Sequence, residues 1–216
     1  MTSPDQPEIV LHDYFRSSAS YRVRIVLKLK RVAYRSVPTS LLEGENKAAA
    51  YVARNPQGFV PMLSVGDTDL TQSLAIIDWL DATYPDPPMV PSDPLARAKV
   101  LAAALVIAAD IHPVDNLRVL KYLKNTLGHD QTTVDDWYRH WIIEGFDALE
   151  QLAPREGLFG GDTPNLADIC LVPQMYNARR FATPLDAFPR LVRIDAALQA
   201  IDAIAAAHPD AVKPAD

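Results

Sequence analysis

Apolar residues change their period along the chain, and each change predicts an element. "EIVLHDY" (8–14) is rich in β-branched and aromatic residues and reads as a short strand. From Ser18 to Lys30, Val23, Val26 and Leu27 fall at i, i+3 and i+4, which predicts a helix. Arg24, Lys28 and Arg31 recur at i, i+4 and i+7 and read as its solvated face. "AYRSVPTS" (33–40) is a second strand, and "GENKAAAYVARNP" (44–56) a short helix that Pro56 ends. "VPMLSV" and "TDLTQ" flank Gly66-Asp67, a hairpin signal. "SLAIIDWLDATYP" then carries Ile76, Ile77, Leu80 and Tyr84 on one helical side.

The pattern stops at "YPDPPMVPSDP", which has five prolines in eleven residues and cannot continue a helix. A linker over 86–94 is expected, after a small α/β domain over 1–85. Beyond it only the helical period recurs, at about 94–126, 131–153, 165–182 and 188–207. This predicts an all-helical domain over 95–216, with a frayed tail, "HPDAVKPAD". The fold class is therefore α/β plus all-α. Within "NLADICLVP", Asn165 and Asp168 have the spacing of a capping box, which assigns them to structure rather than chemistry.

Composition narrows the function classes. Hydrophobic residues make up 49% of the 216, enough for a real core, and the net charge of −6 argues against a nucleic-acid partner. The apolar stretch Val100–Ala109 is too short to span a bilayer, so no membrane association is expected. "MTSPDQPE" has neither a basic nor an apolar region, so no secretory signal is expected. The single cysteine, Cys170, excludes an intrachain disulfide and fits the cytoplasm. Its apolar helical context reads as a buried structural thiol. His12, His112, His129, His140 and His208 show no paired ligand spacing, so no metal site is expected.

The candidate chemistry gathers at strand-to-helix junctions. One of Ser17 and Ser18 caps the first helix. A helix N-terminus also favours an anion, and a serine hydroxyl there can donate to a ligand thiolate. Pro61 opens a strand, as an edge proline or as a cis bond that would turn the Val60 backbone outward toward an extended peptide. Gln72-Ser73 stands at a second helix start, with Ser73 read as its cap. Two helix N-termini and a strand edge suit a small anionic peptide.

The order Ser17-Ser18, Val60-Pro61, Gln72-Ser73 and a helical half resembles the glutathione transferase family. "YFRSSASYRVRI" is similar to the zeta-class signature S-S-C-x-W-R-V-R-I. "NPQGFVPML", "QSLAIIDWL", "DIHPVDNLRVLKYL" and "LADICLVPQMYNARRF" continue the likeness over nearly the whole chain. That class includes maleylacetoacetate and maleylpyruvate isomerases. The resemblance implies a thioredoxin-like N-terminal domain, glutathione as cofactor, a small acidic substrate and a homodimer.

By the same resemblance Ser17, with Ser18 beside it, activates the glutathione sulfur. Val60, before Pro61, pairs with the cysteinyl backbone, and Gln72 and Ser73 take the γ-glutamyl end. Arg180 matches the arginine that grips a substrate carboxylate, a task suited to its planar fork. Arg179 is left as a solvated charge, and Arg16 is either a second positive group or a plain surface arginine. His112 and Asn116, four apart, share a helical face and would touch glutathione or substrate, unless His112 is purely structural. Pro113 kinks the helix there. Asp115 stands where relatives often carry a neutral residue; facing the site it would repel an acidic substrate, which Arg118 would offset.

The chain departs from the signature at Ala19, where relatives carry cysteine, and at Tyr21, where they carry tryptophan. With no protein thiol beside the serines, the nucleophile must arrive with the ligand. The implied function is glutathione-dependent cis–trans isomerisation of a maleyl-type substrate in aromatic catabolism. A zeta-class transferase acting on electrophiles such as α-haloacids shares every residue, although Ala19 counts against reductive dehalogenation. A glutathione-binding protein without catalysis is the third reading, against which the two serines and Arg180 argue.

Overall fold

The structure is a computed structural model that describes residues 7–214. In the first unit β1 (Ile9–Asp13) leads into α1 (Ser18–Leu29) and then β2 (Arg35–Pro38). The parallel pairing of β1 with β2 requires such a crossover. After the short α2 (Ala49–Arg54), β3 (Met62–Val65) and β4 (Thr68–Thr71) form the expected hairpin, and α3 (Ser73–Thr83) follows. The sheet order is β2-β1-β3-β4, with β3 antiparallel to both neighbours. Helix α1 packs on α3, and Val23, Val26 and Leu27 of the one and Ile76, Ile77 and Leu80 of the other are buried.

The charged stripe of α1 is not a solvated face. Lys28 and Arg31 are exposed as the pattern predicts, but Arg24 is 1% exposed. Its Nη1 donates to both Asp13 oxygens at 2.7 and 2.8 Å, its Nη2 to the Phe15 carbonyl at 2.9 Å, and its Nε to the Ala207 carbonyl at 3.1 Å. Period alone cannot separate a solvated arginine from a buried one whose donors are all met.

That last contact also redraws the domain boundary. The chain rejoins the first unit from Ile201 onward, so the helical unit is Val90–Ala200 rather than 95–216. Helix α10 (Asp202–Ala205) packs on α1, with Ile204 and Ala207 buried. The tail is not frayed where it is described. Pro209–Val212 form α11, and the His208 ring Nδ1 accepts the Asp210 N–H at 3.2 Å. The start of the expected linker is likewise held. Lys30 Nζ donates to Asp81 at 2.8 Å and to the carbonyls of Tyr84 and Pro87 at 2.6 and 2.7 Å, and Met89 is buried in the first unit.

In the second unit Asp93 caps α4 (Pro94–Leu105), with proline at its first position. The continuous helix expected over 94–126 is interrupted. A π-helical turn (Val106–Ile111) follows α4, α5 (His112–Val114) is a single turn, and α6 (Leu117–Asn125) starts afresh with Asn116 as its cap. Pro113 has no N–H to give the preceding turn, which fits the altered hydrogen-bond register before it. Gly145 accommodates the π turn, since a Cβ there would overlap the Ile111 side chain. The unit continues with α7 (Gln131–Leu152), α8 (Leu166–Arg180) and α9 (Pro189–Gln199). The capping box on α8 is formed, and the fully buried Asp168 also accepts the N–H groups of Phe159 and Gly160 at 3.0 and 2.9 Å. No helix among the described residues is long and apolar enough to cross a membrane.

Two stability outcomes follow from these buried groups. Arg24→Met should lower the unfolding free energy by about 3–5 kcal/mol because it leaves Asp13 charged and unpaired, whereas Lys28→Met should stay within about 0.5 kcal/mol. Equal small losses in denaturant unfolding would remove Arg24 from the core. Asp168→Ala should cost more than Asn165→Ala, which loses about 1 kcal/mol, because it strands three N–H groups rather than weakening one cap.

Candidate active site

Within the first unit the predicted ligand residues lie around the starts of α1 and α3. Ser17 is the cap of α1, in extended conformation, and its Oγ accepts the Ser20 N–H at 3.2 Å. Capping uses a hydroxyl lone pair and leaves the O–H as a donor, so cap and ligand contact are compatible in one residue. Ser18 is the first helical residue and is buried. No acidic residue occupies the first turn of α1, so the positive end of its dipole is not offset from within the helix. Arg16 Nη2 donates to the Tyr14 hydroxyl at 2.9 Å, and its guanidinium lies over the Tyr14 and Phe15 rings. It is an anchored, half-buried cation.

The Val60–Pro61 peptide bond is cis. Strand pairing of β3 starts at Met62, opposite His12, so Val60 lies just before the ladder. The loop leading to it is pinned from α2 and its flanks. Tyr51 Oη and Asn55 Nδ2 donate to the Phe59 carbonyl at 2.6 and 2.8 Å, and Asn46 Nδ2 donates to the Gly58 carbonyl at 2.6 Å. Burial pushes the Tyr51 hydroxyl up to about 12, which keeps it a donor.

At the second junction Gln72 caps α3 in the left-handed half of backbone space, with φ of 67°. A glutamine there is strained by about 1–3 kcal/mol, a cost that clusters at ligand sites. Its Nε2 donates to Gln57 Oε1 at 2.6 Å. Ser73 is the first helical residue and not the cap, contrary to the expectation. Its Oγ accepts from Arg22 Nη1 at 3.4 Å. Arg22 is buried and reaches from α1 to the start of α3, a role that its place in "RVRI" signalled but period could not assign.

The other predicted residues belong to the helical unit. His112 and Asn116 do not share a helical face, because the helix ends at Val114 between them. Asn116 instead spends its Oδ1 on the Arg118 N–H at 3.1 Å. Arg180 ends α8, exposed, with its guanidinium 4.7 Å from the Phe181 ring centre. Its neighbour Arg179 is not simply solvated but pairs at 2.6 Å with the buried Asp195. No carboxylate pairs with Arg180 among the described residues, which leaves its charge available. Cys170 is fully buried in α8.

Tyr138 was not anticipated. It sits in the buried stripe Val134-Tyr138-Ile142-Phe146-Leu149 of α7 and stacks on Phe181 with ring centres 3.6 Å apart. Burial drives its pKa up and Asp115 adds to this, while the Arg180 guanidinium beside the hydroxyl acts in the opposite sense. The signal in the sequence was a hydroxyl within an otherwise apolar stripe. Asp115, in the break between α5 and α6, is 5% exposed, and burial pushes its carboxyl up to about 8. Burial thus favours the protonated form of this acid at neutral pH.

A group held above its ordinary value of 3.8 gives the folded chain an extra proton. The associated stability is complete below about pH 4 and is lost as pH rises through about 8, by up to ~1.4 kcal/mol per pH unit. Asp115→Asn should therefore melt above the parent at pH 8 to 9, with the gap closing toward pH 4. A gap that ignores pH would show that Asp115 does not titrate in this window.

Comparison with known proteins bears on the whole chain. Residues 11–88 match the glutathione S-transferase N-terminal domain. The chain is 48% identical over 210 residues to the maleylacetoacetate isomerase of Rhizobium meliloti (strain 1021), covering 96% of this chain and 99% of that one. It matches the holo structure of a maleylpyruvate isomerase, a bacterial glutathione S-transferase of the zeta class, with a TM-score of 0.93 and 42% identity over 96% of this chain and all of that one. The maleylacetoacetate isomerase of Methylobacterium extorquens AM1, with malonate and GSH bound, matches with a TM-score of 0.91 and 36% identity over 95% of this chain and 100% of that one. Identity that extends through both units, and not only through the sheet and its helices, makes this chain a member of the zeta class of glutathione transferases, in the family of maleylacetoacetate and maleylpyruvate isomerases.

Proposed function

We propose that the chain catalyses the glutathione-dependent cis–trans isomerisation of a maleyl-type double bond, with maleylacetoacetate or maleylpyruvate as substrate. The observation that carries this reading is Ser17. It presents a hydroxyl at an uncompensated helix N-terminus, with Ala19 close in sequence and the sole cysteine buried in another unit. Such a site serves a sulfur that is not the protein's own. The donor set fits glutathione: an unladdered backbone at Val60, a polar pair at Gln72 and Ser73, and two helix N-termini without first-turn acids for an anionic peptide.

Bound glutathione supplies the nucleophilic thiolate, whose reversible addition turns the double bond into a rotatable single bond. Ser17 Oγ–H and the α1 dipole hold the negative charge on that sulfur and so lower its pKa. Val60, Gln72 and Ser73 fix the peptide, with Arg22 orienting the Ser73 hydroxyl. Arg180 binds a substrate carboxylate and offsets charge that develops on the neighbouring carbonyl, and the anchored Arg16 adds a second positive group. His112 and the amide nitrogen of Asn116 are further donors for glutathione or substrate. That malonate and GSH are bound together in the M. extorquens relative supports the pairing of a small acid with the tripeptide. A homodimer in the cytoplasm is the assembly and location that the family resemblance supports.

Loss of maleylpyruvate and of maleylacetoacetate should require glutathione without consuming it. Stoichiometric consumption would select a conjugating transferase, and binding without turnover a ligand carrier. Ser17→Ala should raise the pKa of the bound thiol and cut kcat at neutral pH by about a hundredfold; a preserved rate removes Ser17 from the chemistry. Arg180→Ala should raise KM for the acidic substrates by about ten- to a hundredfold and spare a neutral aryl halide. Equal losses on both would make the carboxylate role untenable.

A further inference from the structure

Helix α2 precedes the loop that carries Val60, yet it has no apolar hold on the sheet. None of its six residues is buried, and Ala48 gives its N-terminus no side-chain cap. A helix this short is not stable by itself in water. Polar contacts hold it instead.

Arg54, the last residue of α2, reaches across three strands. Its Nε and Nη2 donate to the two Asp69 oxygens of β4 at 2.8 and 2.6 Å, a bidentate pair. Nη2 also donates to Ser64 Oγ of β3 at 2.8 Å, and that hydroxyl donates to Asp69 Oδ1 at 2.7 Å. Nη1 lies 3.4 Å from His12 Nε2 of β1. Burial and the Arg54 charge lower the His12 pKa, which favours the neutral ring that can accept there.

The same helix sets a peptide plane. Tyr51 and Asn55, three residues before Arg54 and one after it, both donate to the Phe59 carbonyl. That carbonyl and the Val60 N–H belong to one planar trans peptide unit and point opposite ways. Fixing the one aims the other.

We propose that Arg54 and Asp69 are positioning residues for glutathione: their ion pair seats α2 on the sheet, and α2 aims the Val60 N–H at the tripeptide. The inference rests on the reading of Val60 as a glutathione contact. Without the pair, α2 and the loop after it sample other positions, and only the molecules with Val60 correctly aimed bind. Apparent affinity falls by that fraction, while activation of the sulfur at Ser17 is untouched. The Arg54 side chain is 44% exposed, so the pair adds little to global stability. It controls local order.

The test titrates glutathione by calorimetry into the parent, Arg54→Met, Asp69→Ala and the double variant, and follows maleylpyruvate turnover in each. Each single variant should bind glutathione about tenfold more weakly, as a competent fraction near one tenth requires. KM for glutathione should rise by the same factor, with kcat at saturating glutathione and the unfolding midpoint near the parent's. The double variant should lose no more than either single one, because both break one pair. Arg54→Lys, which keeps the charge without the planar fork, should recover only part of the affinity. Amide hydrogen exchange without ligand should be about tenfold faster at residues 57–60 in Arg54→Met, and unchanged in α1. Unchanged exchange at 57–60, unchanged affinity in Arg54→Met, losses that add, or a fall of kcat and midpoint together overturns the proposal and leaves the isomerase reading intact. A parent with no glutathione affinity overturns both.

Discussion

Arg24 joins four separate stretches of the first unit inside its core. Its guanidinium takes up the Asp13 carboxylate at the end of β1, the Phe15 carbonyl in the turn, and the Ala207 carbonyl of the returning C-terminal segment, while its backbone belongs to α1. Removing a guanidinium from water is costly, and the cost is offset only when each donor finds an acceptor and the charge finds a counter-charge. That demand fixes the turn through residues 14–17 between β1 and α1. It thereby fixes the position of Ser17 and the direction in which the helix N-terminus points. The same demand explains why the chain, after a long excursion through helices, must return to the sheet unit.

In the proposed reading Ser17 serves two ends with different atoms. The Ser17 oxygen closes the end of α1, and its proton remains for a ligand, so the structural and chemical readings of the serine do not compete. The strained backbone of Gln72 and the buried Arg22–Ser73 contact show the same economy at α3. Ala19 in place of a cysteine leaves the protein without a thiol of its own at this point. The design is consistent with a reaction in which the sulfur is borrowed and returned.

The helical unit shows how an interrupted helix is put to use. A continuous helix would have carried the residue after Val114 around the cylinder. The π turn, Pro113 and the Asn116 cap instead leave Asp115 at a break, inward and without donors. Burial there pushes its carboxyl up to about 8 and favours the protonated form at neutral pH.

Local pattern sufficed for much of this protein. Apolar periods marked nearly every strand and helix, the serine cap and the capping box were readable from spacing, and the paired serines with the downstream Val60-Pro61 and Gln72-Ser73 marked the positions that the proposed function assigns to glutathione. These features depend on neighbours within a few residues, and such information lies in the linear order. What the tertiary structure alone decided involves partners far apart in sequence. The charge of Arg24 turned inward because of Asp13 and Ala207, the C-terminal segment rejoined the first unit, His112 and Asn116 parted at a helix break, and Tyr138 stacked on Phe181. A charged or hydroxylated residue has the same letter in water and in a core, and only the groups that fold around it determine which environment it occupies.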